Sequence, residues 1–288
     1  MRIQDNTVLA CVDGSGLTPA VCDYAAWIAQ KVDAPLTLLH SIDHHPETAA
    51  GWDLSGNIGM DSQEQLLQDM IALESERNKL KLRQGKLIMQ AARQRAVQAG
   101  IAEPELHQRH GSLVESLIEL EQQLRVLVIG VRGKVHENRT DKIGAKLESI
   151  IRSLHKPILV VNEAFKQPER IMIAYDGSKA AEKAVDMVVG SPLYRGLLCH
   201  LVSVGQDEQD AVFLEAAANK LKQAAGIKLI SQHLRGNPEQ ALCDYQNRFD
   251  IDLTVMGAFG HSRIHDLLLG SFTVKMLSQS HKPLLLLR

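Results

Sequence analysis

Aromatic side chains make up only 4% of this 288-residue chain, too few for a platform on which single-stranded nucleic acid would stack. An excess of either charge is missing too. The 32 Lys and Arg against 34 Asp and Glu leave a formal net charge of −2, which argues against a nucleic-acid surface as the main function. The four cysteines, Cys11, Cys22, Cys199 and Cys243, show no C-x-x-C spacing. Cys11 and Cys199 fall in predicted strands and read as small core residues rather than disulfide partners. No apolar run approaches the roughly 18 residues of a membrane span. The stretch Met1–Asn6 is polar and leads into a strand, with no export segment. The expectation is a cytoplasmic protein that meets neither nucleic acid nor membrane. Nucleophile elbow, Ser-His-Asp set, Walker A lysine and G-x-G-x-x-G are all absent, so no catalytic residue is assigned. His261 and His265 stand four apart and His44 and His45 lie near His40. Neither set has a third ligand at a persuasive spacing, so no metal site is expected.

What is present is a duplication. Thr7–Ser15 returns as Ile171–Ser178, each an apolar strand closing on Asp-Gly-Ser before an Ala-rich helix. Leu36–Ile42 returns as Leu198–Val204, Leu127–Gly133 as Thr254–Gly260, and His155–Val161 as His281–Leu287. Four matches in one order, at a period far above that of a solenoid, mean two domains of one kind. The division is expected in the polar connector Asn162–Glu169, giving domains 1–164 and 165–288.

Hydrophobic patterning predicts strands at Thr7–Val12, Leu36–Ile42, Glu105–Arg109, Val126–Ile129 and Ile158–Val161 in the first copy. The second gives Ile171–Tyr175, Leu197–Val204, Lys228–Leu234, Leu253–Met256 and Leu284–Leu287. Helices are predicted between them at Pro19–Lys31, Asp61–Gln98, Val114–Gln123 and Lys142–Leu154, then Ala180–Val189, Glu208–Ala225, Pro238–Asn247 and Phe272–Gln279. Strict alternation specifies an α/β class: tandem doubly wound, Rossmann-like domains with parallel five-stranded sheets. The near-continuous apolar strands fit burial on both faces. The first copy is longer, with a His44–Gly59 loop and a helix whose Leu66, Leu67, Met70, Ile71, Leu73, Leu80, Leu82, Leu87 and Ile88 read as one broad apolar face packed on the sheet. The alternative is that this extra length covers a pocket or a partner surface.

In a doubly wound sheet, ligands bind beyond the carboxyl ends of the strands near the switch point. Asp176 and Gly257 both fall there. Gly257 and Gly260 follow a strand, nine residues intervene, and Gly270-Ser271 opens the next helix. Glycines at such a place let backbone approach a ligand, and helix-start N–H groups attract phosphate. The competing reading is that Asp-Gly-Ser only makes a turn and caps a helix.

The chain resembles the universal stress protein family in its tandem form. That family's signature is Gly-x-x-Gly, nine residues, then Gly with Ser or Thr, beside an Asp that closes the first strand. The resemblance implies ATP binding, with Mg²⁺ as a possible companion. Asp176 would lie on the adenine side with Val204 and Met256 beside it, Gly257, Gly260 and Gly270 would hold ribose and phosphates, and Ser271 would contact the terminal phosphate. His261, directly after Gly260, is a further phosphate candidate. It also implies a stress-response role through binding, with slow ATP hydrolysis at most, an unidentified protein partner, and pairing of last strands. Here Ile158–Val161 and Leu284–Leu287 would pair within one chain as a pseudo-dimer, and a homodimer is open. The first copy departs from the signature. Ten residues separate Gly133 from Gly144, and Ala145 replaces the hydroxyl. Asp13, Gly130, Arg132, Gly133 and Gly144 are therefore expected to form a degenerate site. The alternative function is a nucleotide-independent ligand carrier or scaffold built on the first copy.

Overall fold

The computed structural model describes residues 4, 6–42, 60–133, 145–206, 208–224, 226–258 and 270–288, with side chains from 68 in the long helix, from 146 in the fourth and from 212 in the sixth. The predicted His44–Gly59 loop lies outside these residues, as do Lys142 and Ala225 from the predicted helix ends. Ten strands form at the expected places: β1 Thr7–Cys11, β2 Leu36–Ile42, β3 Glu105–His110, β4 Leu124–Gly130, β5 Ile158–Val161, β6 Arg170–Ala174, β7 Leu198–Val204, β8 Lys228–Leu234, β9 Leu253–Gly257 and β10 Leu284–Leu287. The helices between them are α1 Thr18–Val32, α2 Met60–Gln98, α3 Leu113–Leu120, α4 Ala145–Ser153, α5 Lys179–Gly190, α6 Glu208–Gln223, α7 Pro238–Arg248 and α8 Ser271–Gln279.

The ten strands make one sheet in the order β3-β2-β1-β4-β5-β10-β9-β6-β7-β8. Every neighbouring pair is parallel except β5 and β10, where Leu159 faces Leu285 in antiparallel register. The two five-stranded units thus merge through the last strand of each, and that pairing removes two sheet edges. A doubly wound crossover places consecutive helices on both faces. Because side chains alternate along a strand, each strand feeds two cores. Val8 and Ala10 of β1, Leu159 of β5, Ile171 of β6 and Leu285 of β10 join α1, α2, α5 and α6 in one core. Leu9, Val160, Met172 and Leu286 join α3, α4, α7 and α8 in the other. Each core runs the length of the sheet, so the cores divide by face and not by sequence half.

The connector between the halves is anchored on both sides. Phe165 packs edge-on against Tyr24 of α1, centroids 4.8 Å apart. Asn162 Nδ2 donates to the carbonyls of Ser280 and Lys282. Buried Asp252 accepts from the Glu169 and Arg170 backbone N–H groups, and the Lys166 ammonium sits 2.6 Å away. These partners hold its carboxyl below the usual range against the opposing effect of burial, the largest single influence.

The long α2 corrects the expected packing. Gly85 approaches β2 and β3 so closely that a Cβ there would stand 2.3 Å from Gln108 Nε2 and 3.1 Å from His40. Met89, Ala92 and Ala96 follow into the core. The Arg95 guanidinium grips buried Asp23 of α1 with two hydrogen bonds. Met70, Ile71, Leu73, Leu80 and Leu87, in contrast, are exposed. Length explains it. The 39 residues of α2 reach about 58 Å, whereas a seven-residue strand spans about 23 Å. Most of the helix has no sheet to lie on. No helix among the described residues is long and apolar enough to cross a membrane.

One buried group gives the fold a pH dependence. His200 on β7 is buried, its Nδ1 lies 2.9 Å from the Tyr245 hydroxyl, and its Nε2 has no hydrogen-bond partner among the described residues. Burial, with Arg170 as the lesser cause, pushes its pKa down, and burial does the same for His107. Between the lowered folded value and the ordinary value of about 6.5, the unfolded chain holds more protons, so stability rises with pH. Urea unfolding is expected to show stability falling as the pH drops through about 6.5 and levelling below the folded pKa. His200→Leu should reduce that slope and leave the part owed to His107. An unchanged slope would remove His200 as a cause.

Candidate functional site

The site is the carboxyl rim where β6 and β9 lie side by side. Ala174 is in register with Met256 on one side and with Val202 on the other, and Gly257 with Leu287. Parallel pairing therefore brings Asp176, Val204, Met256 and Gly257 to one edge, at the switch point of the second half. Gly260 and His261 lie outside the described residues. Gly270 and Ser271 open α8, which is tied to the same rim because Thr273 Oγ1 donates to the Ala258 carbonyl at 2.7 Å.

The Asp-Gly-Ser segment does make a turn. Asp176 Oδ1 accepts from the Ser178 N–H at 3.0 Å, Gly177 has φ +73°, and the Ser178 hydroxyl caps α5 by accepting from Ala181 N. Only glycine takes that φ without strain. The turn leaves Asp176 exposed at the rim. Tyr175 just before it is buried, and burial, with Glu182 and Asp176 adding, raises its hydroxyl pKa. Gly257 has a packing role of its own. A Cβ there would stand 2.8 Å from the Ala180 Cβ, so the glycine lets the first turn of α5 settle over the strand end. Met256 is buried in the core behind the rim.

Among helices with a described start, α3, α5 and α7 have side-chain caps from Ser112, Ser178 and Asn237, whereas α1, led by Leu17, and α8 have none. The start of α8 has Gly270 as N-cap, no side-chain cap and no acidic residue in its first turn. Its first N–H groups lack an intrahelical acceptor and carry the positive end of the helix dipole. The donor set suits an anion.

The first half repeats the frame with different contents. Asp13 Oδ1 accepts from the Ser15 N–H and the Thr18 hydroxyl, around Gly14 at φ +73°. A Cβ on Gly133 would stand 3.0 Å from Asp13 Oδ2, and one on Gly130 would meet Leu17, so Asp13, Gly130 and Gly133 are brought together. Arg132 is half-buried beside them, and Gly144 lies outside the described residues. Counting from Gly144 as from Gly270, Ala145 replaces Ser271 and buried Leu147 replaces Thr273. Both hydroxyls at the start of the fourth helix are gone.

Four contributors to these sites escaped sequence reasoning. Thr273 was legible as a hydroxyl two residues into a predicted helix. Ala180 had no signal beyond its small size. A Cβ on Gly177 would stand 3.6 Å from exposed Phe213 of α6, and Ile88 of α2 covers Gly14 in the same way. Each turn is thus roofed by an apolar side chain from the second helix of its half. The thiols do not enter this chemistry. Burial pushes Cys11, Cys22 and Cys199 up to about 12, so they stay protonated. The paired histidines His44, His45, His261 and His265 lie outside the described residues.

The sequence model of the Universal stress protein family matches residues 6–162 and 200–288, one stretch in each half. Universal stress protein Slr1230 of Synechocystis sp. (strain PCC 6803) is 36% identical over 284 residues, covering 98% of this chain and 99% of the relative. Universal stress protein MJ0531 of Methanocaldococcus jannaschii is 27% identical over 156 residues, 49% of this chain and 89% of that protein. Among solved structures, a universal stress protein from Archaeoglobus fulgidus superposes with a TM-score of 0.73 at 19% identity, covering 99% of each chain. That last likeness concerns fold alone. With both halves matched and a full-length relative above 30% identity, this chain belongs to the universal stress protein family.

Proposed function

We propose that the second half binds an adenine nucleotide, ATP with Mg²⁺, at the β6–β9 rim, and that the protein acts through binding rather than turnover. The observation that carries the reading is the start of α8: a glycine-led helix N-terminus with no side-chain cap among the described residues, on the same strand rim as the exposed Asp176 carboxylate at a switch point. The backbone there suits phosphate, and Ser271 at the first helical position suits the terminal phosphate. Gly257, Gly260 and Gly270 would leave room for the ribose and phosphates, His261 would add a phosphate contact, and Asp176 with Val204 and Met256 would face the adenine side. The first half, with neither Ser271 nor Thr273 matched, would be a degenerate partner. Ligand occupancy would then alter a surface read by a protein partner in the cytoplasm.

Calorimetric titration of nucleotide-stripped protein with Mg-ATP, AMP and GTP tests this. One site per chain with ATP preferred is expected, with affinity lowered about tenfold by Ser271→Ala, the equivalent of one charged hydrogen bond. Gly260→Val is expected to remove the heat and leave the unfolding midpoint in place. Folded, empty protein that gives no heat with any of the three would end the proposal.

A further inference from the structure

We propose that the overhanging part of α2 is a dimerisation arm, which pairs with α2 of a second copy of this chain as an antiparallel coiled coil. Leu73, Leu80 and Leu87 recur every seven residues and are 67%, 63% and 66% exposed. The sequence carries that spacing back to Leu66. Leu87 lies two residues from both Gly85 and Met89, which face the core, and therefore roughly 200° round the helix from them. The helix has two apolar stripes. One is used by its own sheet and the other points away from it.

Taking the leucines as one seam position, the companion position four residues on from each is Met70, Arg77, Gln84 and Ala91. Met70 is exposed as well. The heptad charge pattern selects the partner and the direction. In a parallel pair the companion positions meet their own copies, which would set Arg77 against Arg77, and the repulsion of Asp69 and Glu74 would offset the attraction of Glu76 and Lys81. In an antiparallel pair each leucine meets a companion position, so Leu80 covers the stem of Arg77, Leu73 meets Gln84 and Met70 meets Leu87. Exposed Glu76 then stands beside exposed Arg83 of the other copy, twice by symmetry. A helix whose flanking charges complement its own reversed copy is suited to an identical partner. The seam needs nothing from the sheet, so two bodies can approach through their arms alone.

Sedimentation velocity on the full chain is expected to show a reversible dimer. Leu73→Glu with Leu80→Glu should leave a monomer with unchanged circular dichroism and unfolding midpoint, because neither leucine packs on its own body. Glu76→Arg alone should weaken the dimer roughly fivefold, and adding Arg83→Glu should restore it. Spin labels on Asp69→Cys, with Cys243→Ser and the other three cysteines buried, fix the direction. They are expected roughly 30 Å apart in the antiparallel register and about 10 Å apart in a parallel one. A monomeric wild type, a dimer that survives the double leucine change, an unrescued charge swap or the short label distance each overturns the proposal.

Discussion

Leu285→Asp is expected to unfold the whole chain, both halves together. Leu285 is 3% exposed, sits in the only antiparallel pair of the sheet opposite Leu159, and belongs to a core shared by α1, α2, α5 and α6. Removing a buried leucine side chain costs about 2–5 kcal/mol. Burying an unpaired carboxyl, neutral or charged, adds several more. The sum reaches the roughly 5–15 kcal/mol that a domain has in total. Leu285→Met keeps volume and polarity and should cost less than about 1.5 kcal/mol. Denaturant unfolding of the wild type should follow one transition by every probe, since neither core stops at the junction. Two separated transitions, or a Leu285→Asp protein that stays folded, would show that each half stands alone.

Gly257→Val should cost about 1–3 kcal/mol, the range for overpacking, and should shift the α5 start. The new Cβ would sit 2.8 Å from Ala180 Cβ and 3.6 Å from Ala181 N. Helix backbone cannot yield as a flexible side chain does, so the first turn of α5 moves, and the Asp176–Ser178 turn moves with it. The reciprocal change separates this from any loss of ligand contact. Gly257→Ala with Ala180→Gly should recover most of the stability lost in Gly257→Ala, despite the roughly 0.5–1 kcal/mol charge for glycine in a helix. Strictly additive effects would mean the two residues do not compete for the same space. If the rim holds a nucleotide, affinity follows the position of α5 and returns in the double variant.

The strands were legible because both faces of the sheet are covered. A strand such as Val126–Ile129 then reads as an unbroken apolar run, and all ten predicted strands formed. The pairing of β5 with β10 was legible from the resemblance. The packing of α2 was not, because a list of apolar positions does not say which of two stripes meets the sheet. Helix length was the missing argument. At the rim, Asp176, Gly257 and Ser271 were picked out for a ligand, and the structure gives the first two structural work. Asp176 holds the turn and Gly257 admits Ala180. The turn was legible in Asp-Gly-Ser, but the packing of Gly257 was not, since a glycine that clears room for a helix is spelled like one that clears room for a phosphate.

The lone antiparallel step in the sheet has a geometric consequence. Reversing strand direction at β5 and β10 sends the carboxyl ends of β1–β5 to one end of the sheet and those of β6–β10 to the other. The Asp13 turn and the Asp176 turn therefore look out from opposite ends of a single sheet. No one small ligand bridges them, and two separate partners can occupy them without collision. Among the described residues, the strands and the two shared cores are what connects those ends.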